Sequence, residues 1–100
     1  EHIYPNHKEL SAHSRQDNPN RWMPCPKLES LKQLAIAQGL WNLWLPKDLA
    51  NAGASGAAGV GLTNVEYSLM AEVMARSPFA SEVFNCSAPD TGNMEVLLRF

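Results

Sequence analysis

Three groups of residues in this chain have types that could do chemistry: the histidines, the cysteines and a glycine-rich run. His2, His7 and His13 invite a metal reading, but they are five and six positions apart. Side chains that converge on one ion from a helix must sit three or four positions apart, on one face. They therefore read as solvated or half-buried histidines. Cys25 and Cys86 are 61 positions apart with no CxxC partner, so a disulfide between them is open in principle, and two reduced thiols of an intracellular protein are the plainer reading. Cys86 would need a histidine beside it to act as a nucleophile, and all three histidines fall in the first 13 residues. Ser and His occur, but no GxSxG elbow does. The run NAGASGAAGVG (51–61) matches neither GxGxxG nor GxxxxGK[ST] and follows no clear strand. It reads as a linker rather than a phosphate cradle. Carboxylate pairs are a matter of three-dimensional placement. The residues alone thus define no catalytic set.

Composition narrows the class further. One hundred residues allow one domain with a modest core. A hydrophobic share of 45% against 18% charged is ordinary for a globular protein and too apolar for disorder. The net charge of −2 points away from nucleic acid, and Arg21-Trp22, the basic grouping beside an aromatic, is no patch. No apolar run approaches the roughly 20 residues of a membrane helix, and no charged-then-apolar leader precedes the first turn.

The elements that must position any site are helical. Residues 2–15 carry a partial apolar face (Ile3, Tyr4, Leu10, with His7 in the gap), and Pro5 must sit in the first turn or kink the helix. Asn18-Pro19-Asn20 signals a turn, and Pro24 and Pro26 bracket Cys25, so 16–26 is a connector. Trp22 and Met23 in it either fold back onto the core or dock against another domain. The spacing of Leu28, Leu31, Leu34, Ala35 and Gln38 predicts a helix over 26–38, with Pro26 or Lys27 opening it and Gly39 ending it. LWNLWLP (40–46) reads as an extended segment against the core; Trp41 and Trp44 serve either core packing or an interface. Lys47–Gly61 reads as a loop. Thr63–Arg76 opens with a capping box, Thr63 and Glu66. Val65, Leu69, Met70, Val73 and Met74 are expected to form its buried face, Met70 and Met74 as core filler or as pliable pocket lining, and Glu72 and Arg76 make an i,i+4 pair. Ser77-Pro78 ends it. At the end of the chain, Asp90 or Thr91 should cap a helix whose apolar face is Met94, Leu97 and Leu98, still running at Phe100. That unfinished pattern, with Glu1 in place of an initiator Met, is expected of a fragment. Four helices with short loops make an all-α bundle.

Three stretches carry a family resemblance: GLWNLWLP (39–46), GLTNVEYSLMAEVMARSPFA (61–80) and EVFNCSAPDTGNMEVL (82–97). Together they resemble the N-terminal α-helical domain of acyl-CoA dehydrogenases, closest to the subgroup of family members ten and eleven. The likeness is weak before Trp22 and strong after Leu28, and NCSAPDTGNMEVL is its most specific run. Two departures stand beside it: the Gly/Ala-rich loop 51–61 is longer and blander than the usual connection, and Trp44 stands where a Phe is common.

The resemblance implies an FAD-dependent enzyme of three domains, with residues 1–100 as the first. In such enzymes a carboxylate takes the α-proton of a fatty acyl-CoA and the β-hydride passes to the flavin. The base and most flavin contacts lie in the middle and C-terminal domains, so no catalytic residue is assigned here. The N-terminal domain supplies wall at the far end of the acyl cavity. Carried onto this sequence, the substrate-contact candidates are Val83, Phe84, Ser87 and Thr91, for which ordinary core packing is the competing reading. The smallness of Ser87 would deepen the cavity. The resemblance also implies an acyl-CoA substrate, packing against the remaining domains of the parent chain and a homo-oligomer, dimer or tetramer. No nucleic acid or membrane span is implied. The location would be the bacterial cytoplasm, or a mitochondrion or peroxisome in a eukaryote. Two other functions stay open: a free-standing helical interaction module without chemistry, and a related flavin oxidase or monooxygenase on the same scaffold.

Overall fold

The computed structural model describes residues 1–49 and 59–100; the Gly/Ala-rich segment 50–58, with most of the expected linker, lies outside them. The described residues are all-α, with five helices after a short 3₁₀ turn at Tyr4–Asn6. They are α1 (His7–His13), α2 (Pro26–Ala37), α3 (Asn64–Met74), α4 (Ala80–Val83) and α5 (Asp90–Arg99). Four were expected. The additional one, α4, is too short for periodicity to reveal, and it sits at the centre of the packing, against both α2 and α3.

Local chemistry explains the ends. Pro5 lies inside the 3₁₀ turn and Pro26 opens α2, where a missing N–H costs nothing. Helix α2 closes in a Schellman motif: Gly39 takes φ 69°, its N–H donates to the Ile36 carbonyl, and that of Leu40 donates to Ala35. The capping box of α3 forms as expected. The Glu66 N–H donates to Thr63 Oγ1 at 3.3 Å, and the Thr63 N–H donates to the Glu66 carboxylate at 2.8 Å. Helix α5 departs from expectation. Pro89 is its flanking residue and Asp90 is already helical, with no side-chain cap. The Ser87 carbonyl instead accepts the Thr91 N–H, starting the winding one turn earlier.

Two cores meet at α4. Leu10, Leu28, Leu31, Ala35 and Val83 form one, and Leu43, Met74, Ala80 and Cys86 form the other. Ile3 and Phe84 pack against both, so the α4 end is the hinge pin of the fold. His7 packs edge-on against Phe79, 5.4 Å between ring centres. Lys32 of α2 pairs with Glu29 at 2.8 Å and reaches Glu82 of α4 at 3.0 Å.

Several sequence expectations are corrected by this packing. Segment 40–46 is not extended but turned, because Asn42 takes φ 58° and its carbonyl accepts the Leu45 N–H. It still delivers Leu43 and Leu45 to the interior, while Trp41 and Trp44 are half-buried. On α3 the buried side is Met74 with Tyr67 and Ala71 half-buried. Val65, Leu69, Met70 and Val73 are exposed, because α4 and the 43–45 turn occupy the Tyr67–Ala71–Met74 side. Glu72 and Arg76 do not pair. Trp22, 83% exposed, and Met23 do not fold back onto the core. On α5, Met94 and Leu98 are half-buried, whereas Leu97 is 81% exposed.

Candidate functional site

An apolar groove of about 500 Å³ opens between the N-terminal turn, α2, the end of α3 and α4. Leu31 and Leu34 of α2, Val73 of α3, Val83 of α4 and Phe84 line it, and Glu1, His2 and Arg76 are its charged or titratable members. No carboxylate among the described residues pairs with Arg76. Such a groove accepts an apolar chain or side-chain row.

The four sequence-derived candidates fall into two pairs. Val83 and Phe84 line the groove; Val83 is also buried among Leu10, Leu28 and Leu31. Ser87 and Thr91 lie outside it, half-buried in the turn that leads into α5, with the Thr91 N–H donating to the Ser87 carbonyl at 3.2 Å.

The other reactive types are neutralised by their surroundings. Burial pushes the Cys86 thiol up, against the pull of backbone donors at Trp44 and Leu43 and of Tyr67. It stays a protonated thiol, donating to the Phe84 carbonyl at 3.3 Å. Tyr67 beside it is pushed up to about 12, by burial first and then by Cys86. Both cysteines are free. Cys86 is thus a small core residue, not a nucleophile. No group of three His, Cys, Asp or Glu among the described residues is placed to hold a metal, and no helix among them is long and apolar enough to cross a membrane.

Nor do these residues form a flavin cradle. A dinucleotide brings two phosphates that need convergent N–H groups or cations, and the groove sets the Glu1 carboxylate beside the Arg76 guanidinium and the His2 imidazole on an otherwise mostly apolar lining. No step through a flavin is derived from them.

Sequence reasoning missed a pair at the base of the turn. Asn42 and Asn85 both take left-handed backbone, at φ 58° and 55°. The Asn85 side-chain amide donates to Asn42 Oδ1 at 2.7 Å, and the Asn42 N–H donates to the Phe84 carbonyl at 3.1 Å. Asn85 closes α4 as Gly39 closes α2: its N–H donates to Glu82 and that of Cys86 to Ser81. The one local signal was residue type, since Asn tolerates this conformation better than other side chains. Nearby, the buried indole N–H of Trp44 finds no acceptor among the described residues.

Comparison with known proteins gives this helical arrangement its class. The fold is that of one segment of an acyl-CoA dehydrogenase: a solved structure of such a protein from Mycobacterium abscessus superposes with a TM-score of 0.69, at 46% identity, over 98% of this chain and 22% of that one. Among curated proteins, the chain is 53% identical over 98 residues to acyl-CoA dehydrogenase family member 10 of Mus musculus, covering 98% of this chain and 9% of that protein. It is 44% identical over 99 residues to family member 11 of Gallus gallus, covering 97% of this chain and 11% of that protein. No protein-family model matches the chain. The chain therefore spans 9% to 22% of the length of these relatives, and the resemblance read from its motifs holds across nearly all of its own length.

Proposed function

We propose that residues 1–100 form the N-terminal helical domain of an FAD-dependent acyl-CoA dehydrogenase, which oxidises fatty acyl-CoA thioesters between the α and β carbons. The observation that carries this reading is the joint match of sequence and fold, 46% identity and a TM-score of 0.69 over 98% of the chain. The domain's share of the work is wall and packing. Val83 and Phe84 at the groove, with Ser87 and Thr91 on the turn into α5, would border the acyl chain. Chemistry and flavin contacts would come from other parts of the polypeptide. The exposed row Val65, Leu69 and Val73 on α3, with Val96 and Leu97 on α5, supports interdomain packing, since an apolar row of this kind is costly to leave in water. The parent would be a homo-oligomer, a dimer or tetramer, acting in the bacterial cytoplasm or in a mitochondrion or peroxisome.

The test is the native protein. Its intact mass is measured, its absorbance is scanned for the visible flavin bands, and bleaching of those bands is followed as acyl-CoA is added. A chain several times this length that carries flavin and bleaches with acyl-CoA is the expected result. A native chain near 11 kDa without flavin would refute the reading in favour of an interaction module. Rapid reoxidation by oxygen would move it to the flavin oxidases.

A further inference from the structure

We propose that Asn42 and Asn85 are positioning residues: their side-chain hydrogen bond holds the turn that carries Ser87 and Thr91, and so sets which acyl chain lengths the parent enzyme accepts. The proposal rests on the reading of that turn as acyl-pocket wall.

The segment from Asn85 to Met94 contains both Ser87 and Thr91, and a single amide closes it at both ends. Asn85 Nδ2 donates to Asn42 Oδ1 at 2.7 Å and lies 3.7 Å from the sulfur of Met94, on the inward side of α5. Asn42 is itself immobile, being 5% exposed, with its N–H held by the Phe84 carbonyl. The two left-handed reversals therefore interlock across 43 residues of sequence. Each conformation is one that a side chain rarely adopts, and each faces the other. Elsewhere, Cys86 anchors the segment's start in the second core. Beyond it, the end of α5 is tied by Arg99 to Asp48 at 3.4 Å, an exposed ion pair of little holding strength. The part-buried amide contact is thus the link that can fix how far Ser87 and Thr91 stand from a bound acyl chain. Displacing a wall by a fraction of an ångström to an ångström changes the longest chain that fits, without touching the reacting atoms.

Two measurements on the full-length protein test this. Asn85→Gly keeps a left-handed backbone and deletes the amide. Asn85→Asp keeps the shape and turns the donor into an acceptor facing Asn42 Oδ1. Amide exchange at Thr91 and Asn93 should quicken about tenfold in both variants. The kcat/KM profile over straight-chain acyl-CoAs of increasing length should shift its optimum by at least one two-carbon step, with kcat on short substrates unchanged. Thr63→Ala, at the start of α3 and away from the four proposed wall residues, is the control: it lowers thermal stability and leaves the profile in place. Unchanged exchange at Thr91 overturns the positioning role. Quickened exchange with an unmoved profile, in an enzyme whose wild type is active, overturns the assignment of chain-length control. A wild type with no acyl-CoA dehydrogenation overturns the functional reading itself.

Discussion

Asn42 offers the sharpest test of the packing logic, because its two contributions can be separated by substitution. Its backbone sits at φ 58°, its side chain accepts from Asn85, and it is 5% exposed. Asn42→Gly retains the conformation freely and removes the acceptor, stranding a half-buried amide donor. The loss should be about 1–2 kcal/mol, the lower part of the range for an unsatisfied buried group. Asn42→Ala removes the same acceptor and also forces a Cβ into the left-handed region, adding about 1 kcal/mol for a total of about 2–3 kcal/mol. Trp41 and Trp44 flank the site, so urea unfolding followed by tryptophan fluorescence reads it directly. A cycle with Asn85→Gly completes the test. The double variant should be less destabilised than the two single losses added together, by about 1 kcal/mol, since both remove one bond. Equal stability of the Gly and Ala variants would show that the left-handed backbone carries no cost there. Strict additivity would show that the two asparagines do not bind each other in solution.

Three further outcomes are expected. Gly59→Ala would place a Cβ 2.8 Å from Leu45 Cβ and 3.0 Å from the Asn42 carbonyl, and Leu45 is fully buried; overpacking of this kind costs about 1–3 kcal/mol, visible as a lower thermal midpoint. Thr63→Ala removes the hydroxyl half of the capping box of α3, the acceptor for the Glu66 N–H, and should cost about 1 kcal/mol in urea unfolding. Glu66, held below its usual 4.5 first by the Thr63 N–H and then by the Thr63 hydroxyl, adds stability above that value that fades as pH falls through its lowered folded value; Thr63→Ala keeps the N–H and removes the hydroxyl, so it should shrink this acid limb without abolishing it. A thiol reagent should modify half-buried Cys25 well before Cys86, which burial keeps protonated; comparable rates in the folded protein would contradict the placement of Cys86 in the second core.

What the sequence determined by itself is local. The ends of α2 and α3 are written in short-range chemistry: Pro26 and Gly39 bracket one, and Thr63 with Glu66 opens the other, because these residues satisfy or relieve backbone groups within one turn of themselves. The all-α class and the family likeness of NCSAPDTGNMEVL were legible for the same reason, being properties of contiguous residues. Which apolar face turns inward was not. On α3 the row Val65, Leu69 and Val73 has the periodicity of a core face and is exposed, while Tyr67, Ala71 and Met74 meet α4 and the 43–45 turn. Periodicity identifies a face, and only the neighbouring elements decide whether anything covers it. Helix α4 escaped notice because four residues hold too little pattern, although Val83 joins one core, Ala80 joins the other and Phe84, just after the helix, packs against both. The Asn42–Asn85 bond spans 43 positions. No local rule couples residues so far apart; they meet only because α4 brings the chain back beneath the turn at Asn42, and the placement of Ser87 and Thr91 was decided there.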